Sequence, residues 1–63
     1  MPTIQIDGPP IPTERKRQLV EKLSNAAAEV YGIAKEHMIV LIRENAPENV
    51  GVGGQLLADR HKK

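Results

Sequence analysis

The sequence predicts an α/β (α+β) chain: one βαβ unit with parallel strands, then a short C-terminal element, with oligomerisation completing the fold. Three observations carry this. Polar and apolar residues alternate over Thr3-Ile4-Gln5-Ile6-Asp7, as in a half-buried strand. Apolar residues then recur at helical spacing, and a second apolar run, Met38-Ile39-Val40-Leu41-Ile42, is too short for an independent helix.

Between the first strand and the helix, Gly8-Pro9-Pro10-Ile11-Pro12 interrupts regular structure, because three prolines fix φ and remove backbone donors. Thr13 is the expected N-cap, with Glu14 in the first turn where the helix dipole favours an acid. Leu19, Val20, Leu23, Ala26, Ala27 and Val30 mark one amphipathic face, so residues 14–31 read as a helix that stops at Gly32. In the second apolar run, Val40 and Ile42 point one way while Ile39 and Leu41 point the other, which describes a strand buried on both faces. Strand, helix and strand in this order make a right-handed parallel crossover. Asn45-Ala46-Pro47-Glu48-Asn49 reads as a turn and Val50-Gly51-Val52-Gly53-Gly54 as a flexible or extended segment, with Leu56 and Leu57 anchoring a last short element.

Sixty-three residues form one domain, residues 1–63. A chain of this size buries only about 60% of the surface its unfolded form exposes and needs a disulfide, a metal or a partner. Cysteine is absent, and His37 and His61 lack ligand spacing, so no metal site is expected and association remains. One helix covers one face of a two-stranded sheet, so the face of Ile39 and Leu41 calls for a second copy of the chain. Sheet extension across such a homo-oligomer also hides open strand edges. A net charge of +1 is neutral evidence about acidic partners. Neither a signal peptide nor a membrane span is visible, which makes a cytoplasmic protein without a membrane partner the expectation.

Pro2 is the first candidate for chemistry. Removal of Met1 would leave a free secondary amine, and burial or a nearby cation would lower its pKa towards the range a general base needs. The plain alternative is that Met-Pro is a common start with no chemical meaning.

Several pieces taken together change that balance: Met1-Pro2 running straight into a strand, Glu14-Arg15-Lys16 opening a helix, the apolar strand ending in Glu44, and Val50-Gly51-Val52-Gly53-Gly54. In this order, over nearly the whole length, they resemble the 4-oxalocrotonate tautomerase family. The resemblance implies a tautomerase-like βαβ domain with a short C-terminal glycine-rich hairpin, paired into dimers and often a trimer of dimers, with no cofactor. It also implies an isomerase in which an N-terminal proline, here Pro2, shuttles a proton between carbon and oxygen of a 2-oxo/2-hydroxy unsaturated acid. Val50 stands where the family places an apolar residue close to the proline. Ile11 and Ile39 stand where the family commonly carries carboxylate-binding arginines, a departure that bears directly on the substrate.

Arg43 is the substitute cation, because a guanidinium reads a carboxylate in bidentate fashion. Strand alternation sets His37, Ile39, Leu41 and Arg43 on one face, with Arg43 about 13 Å beyond residue 39. The alternative for Arg43 is a surface arginine paired with Glu44 or Glu48. His37, beside Ile39 on that face, is either a substrate contact suited by its intrinsic pKa or a surface residue. Arg15-Lys16-Arg17 reads as solvated helix surface. The glycines at 51, 53 and 54 lack the Lys-Ser/Thr of a phosphate loop and instead suit close approach of backbones. Two other functions compete: a structural oligomer that has lost the chemistry, and a ribbon-helix-helix DNA binder, against which the strand at 38–43 counts.

Overall fold

A computed structural model describes residues 2–60; His61 lies outside them. Strand β1 spans Thr3–Gly8 and helix α1 Thr13–Tyr31. A 3-10 turn at Lys35–His37 leads into β2, Ile39–Glu44, and a second at Pro47–Asn49 precedes β3, Gly51–Val52. Strand β4, Gln55–Leu56, and the short helix α2, Leu57–Arg60, complete the order.

β1 and β2 pair in parallel, from Thr3 opposite Ile39 to Gly8 opposite Glu44. Bonds from Ile39 N to the Pro2 carbonyl (3.1 Å) and from Asn45 N to the Gly8 carbonyl (2.8 Å) extend the ladder at both ends. The register sorts the side chains. Ile4, Ile6, Val40 and Ile42 form one half-buried face, and α1 lies on that side, since Lys16 reaches Glu44 of the same set at 2.9 Å. Thr3, Gln5, Asp7, Ile39, Leu41 and Arg43 make up the opposite face, where Leu41 is 45% exposed. The βαβ unit follows the sequence expectation, and a parallel strand where a second helix would be needed removes the ribbon-helix-helix reading.

Two local expectations change. Thr13 is not the N-cap: Pro12 is, extended at φ −62° and ψ 153°, with its carbonyl accepting from Arg15 N and Lys16 N. A proline's fixed φ suits this position, and the helix starts there without a side-chain cap. Met38 precedes β2, because its N–H closes the 3-10 turn on the Lys35 carbonyl at 3.0 Å. The short C-terminal hairpin that the family resemblance implies is present, Gly51 opposite Leu56 and Val52 opposite Gln55. Gly53 and Gly54, at φ 61° and 81°, occupy its two-residue loop, which demands left-handed backbone at both positions. At the helix end Gly32 adopts the left-handed conformation (φ 71°) and donates to the Ala28 carbonyl, as a C-terminal stop should.

Among the described residues no apolar side chain is fully buried; Ser24, at 7% exposure, is the buried residue. The radius of gyration is 15.0 Å, against about 11 Å for a globule of this length, and the extents are 45 × 24 × 14 Å. One chain is thus a thin layered slab with its apolar material on the surface. Among the described residues no helix is long and apolar enough to cross a membrane.

Candidate functional site

Pro2 stands half-buried at the foot of β1, its carbonyl held by Ile39 N. Ile39, half-buried and opposite Thr3, is therefore its neighbour across the ladder. His37 is exposed and ends the 3-10 turn. Strand alternation cannot place it on the Ile39 face, because the chain becomes extended only at Met38; that part of the expectation is corrected.

The other residues singled out lie at the far end of the sheet. Val50 lines a cavity of about 180 Å³ with Asp7, Gly8, Pro9, Asn45 and Leu57. The bond from Leu57 N to the Val50 carbonyl (2.8 Å) and the one from Asn45 N to Gly8 fix the chain on either side of it. Arg43 is paired with neither Glu44 nor Glu48. The parallel register sets it opposite Asp7, and Nε lies 3.4 Å from the Asp7 carboxylate. Pro2 and Gly8 are six residue steps apart along an extended strand, about 20 Å. Within one chain the structure brings Pro2 to Ile39, Arg43 to Asp7, and Asp7 to the cavity that Val50 lines, but keeps the Pro2 pair and the Arg43 end at opposite ends of the sheet.

Two further residues organise the Arg43 end. Glu44 Oε2 accepts from Lys16 Nζ at 2.9 Å and from Ile11 N at 3.1 Å. Pro9, Pro10 and Pro12 have no backbone N–H, so Ile11 holds the one donor of residues 9–12, and Glu44 takes it. The Lys16 bond, and after it the Ile11 N–H, hold the Glu44 carboxyl below its ordinary value of 4.5. The sequence carried a signal for this latch, a proline-rich loop with a single free N–H, but its acceptor lies 33 residues away and becomes evident only with the strand register. Asp7 was missed for the same reason.

A concavity of about 570 Å³ beside α1 is lined by Val20, Ser24 and Lys35 among others and touches none of the candidate residues. Two cations on its rim are already engaged, Lys16 with Glu44 and Arg17 with Glu14 (2.9 Å). Among the described residues no cluster of three His, Cys, Asp or Glu side chains could hold a metal ion.

Comparison with known proteins gives this geometry its context. The tautomerase enzyme family matches residues 2–60. A 2-hydroxymuconate tautomerase of Bacillus subtilis is 39% identical over 46 residues, 73% of this chain and 74% of that protein. The crystal structure of DmpI from Archaeoglobus fulgidus superposes with a TM-score of 0.87 at 45% identity, covering 92% of this chain and all of that one. A heterohexamer 4-oxalocrotonate tautomerase from Chloroflexus aurantiacus gives a TM-score of 0.87 at 30% identity, over 94% of this chain and 97% of its own. The pairing of parallel strands about one helix, the terminal glycine hairpin and this agreement along the chain lead to one conclusion: the chain belongs to the tautomerase enzyme family.

Proposed function

We propose that the chain, acting as one tautomerase-like domain over residues 1–63, catalyses keto–enol tautomerisation of 2-oxo/2-hydroxy unsaturated acids. Pro2 is the general base, and no cofactor takes part. One observation carries the reading: the family match begins at Pro2, which stands half-buried at the foot of β1 beside Ile39. Removal of Met1 frees its secondary amine; with Met1 attached, the same nitrogen is an amide and cannot accept a proton. In ketonisation the neutral amine takes the enol hydroxyl proton as the C=O forms, and the C=C electrons accept a proton from the resulting ammonium at C3. Apolar surroundings disfavour the ammonium and bring its pKa towards working pH.

The substrate carboxylate falls to Arg43, and Val50 supplies an apolar wall. Arg43, opposite Asp7, lies about 17 Å along the sheet from Pro2 of the same chain, and Val50, which lines a cavity with Gly8, about 20 Å, so the reading requires a homo-oligomer, a dimer or trimer of dimers, in which one copy's Arg43 end meets another's Pro2 end. The hexameric relative supports such an assembly. His37, exposed beside the start of β2, is a secondary contact at the Pro2 end. With Ile11 and Ile39 in place of arginines, the site suits an acid with a single carboxylate and an apolar remainder. The same two isoleucines favour the second reading, a structural oligomer that has lost the chemistry.

Ketonisation of phenylenolpyruvate, followed by ultraviolet absorbance, separates the two. The processed protein is expected to accelerate it. Pro2→Ala leaves a primary amine in nearly the same place and should lower kcat about 10- to 100-fold, less than or at the lower end of a full general acid–base contribution, while the assembly persists. Equal rates for the variant and the parent would remove Pro2 from the mechanism.

A further inference from the structure

The ion pair between Asp7 and Arg43 leaves most of the arginine unused. Its Nε–Oδ1 separation is 3.4 Å, longer than the 2.9 Å of the other two ion pairs and beyond the range of a charge-assisted hydrogen bond. Both side chains are more than half exposed. A guanidinium has five N–H donors in a planar fork, so one long contact leaves a bidentate edge available to an incoming carboxylate. Asp7 nonetheless remains next to whatever that edge binds, and it lines the same cavity as Val50.

We propose that Asp7 is a specificity-determining residue that makes the Arg43 end of the site prefer monoanionic over dianionic 2-oxo acids. The inference rests on the reading of Arg43 as the carboxylate binder. On their sheet face Asp7 and Arg43 are the charged residues, and they cancel; the rest are Thr3, Gln5, Ile39 and Leu41. A first carboxylate takes the open edge of Arg43. A second finds no unmatched cation on that face and meets the field of Asp7 as well, so the repulsion counts twice for a dianion and once for a monoanion. Loss of the aspartate charge therefore helps the dianion more.

The test compares the processed parent with Asp7→Asn, Asp7→Glu, Arg43→Ala and the Asp7→Asn/Arg43→Ala double variant. The substrates are phenylenolpyruvate, a monoanion, and 2-hydroxymuconate, a dianion. Asp7→Asn is expected to lower KM for 2-hydroxymuconate about two- to fivefold more than for phenylenolpyruvate, with kcat little changed, as befits an exposed pair. Added salt should shrink the effect. Asp7→Glu should restore the parent preference, Arg43→Ala should raise KM for both acids, and the double variant should show the preference of Arg43→Ala alone. Calorimetric binding of phenylpyruvate and the dicarboxylate 2-oxoadipate reads the same preference without turnover. A shift there in a protein that fails to catalyse supports the role of Asp7 and removes the proton-transfer reading. Normal catalysis, with the two acids affected equally by Asp7→Asn, overturns the role of Asp7 and leaves that reading standing. An Asp7→Asn shift that persists without Arg43 also overturns the inference.

Discussion

At the scale of single residues, Glu44 shows how a partly exposed carboxylate can organise a loop. It takes the one N–H available from residues 9–12 and adds the Lys16 ammonium from α1, tying the strand end, the loop and the helix together. The Arg43 side chain faces the opposite side of β2 and pairs with Asp7, and Gly8 across the ladder has no side chain, so Lys16 is the ionic group that meets Glu44. Its folded pKa is lowered below 4.5. A depressed carboxyl stabilises the fold while charged, so the contribution is present above about pH 4.5 and disappears as pH falls through the folded value. Glu44→Gln should thus be less stable than the parent at pH 7, and in denaturant titrations the gap should narrow as pH falls below 4.5. A constant gap between pH 7 and pH 3 would show that the charge contributes nothing.

At the scale of elements, the hairpin is the clearest case of backbone chemistry deciding structure. Gly53 and Gly54 both take positive φ, and a Cβ added to either meets nothing within 4 Å. Space therefore does not limit substitution there; conformation does. Gly54→Ala, at φ 81°, should cost about 1 kcal/mol of stability from the left-handed backbone alone. Gly8 has equal room for a Cβ but no positive φ, so Gly8→Ala should be close to neutral in the same titration. Equal losses at both positions would contradict the conformational argument. The contrast also explains what the sequence made legible. The alternation at residues 3–7, the helical stripe ending at Gly32 and the β-branched run at 39–42 each follow from local periodicity, and each formed as read. The hairpin is legible through the family resemblance rather than through local pattern, because glycine content alone signals flexibility and only the adjacency of two glycines signals a tight loop. Pairings across the sheet were not legible. Arg43 with Asp7 and Glu44 with Ile11 depend on strand register, which no local pattern specifies. Likewise, a list of site residues in sequence order gives no sign that Pro2 and Val50 fall at opposite ends of one sheet.

At the scale of the whole molecule, the single chain leaves Val30, Leu41, Val52 and Leu56 more than 40% exposed and buries no apolar residue fully among those described. Each such side chain, fully buried, would contribute about 1.5–3 kcal/mol, so the missing stabilisation is of the same order as the whole stability of a small domain. Sedimentation at micromolar concentration should accordingly show an oligomer and no folded monomer; a stable folded monomer would contradict the assembly. Under the proposed function, the same assembly would bring Arg43 of one copy to Pro2 of another.

The central claim is that the freed amine of Pro2 is the base. Its most direct test is the pH–rate profile for phenylenolpyruvate ketonisation, measured on two preparations identified by intact mass, one with Met1 removed and one retaining it. The processed protein should show a rate that rises with pH through an apparent pKa below that of an ordinary secondary amine, and the Met1-retaining protein should show almost no activity. Full activity in the Met1-retaining preparation would contradict Pro2 as the base.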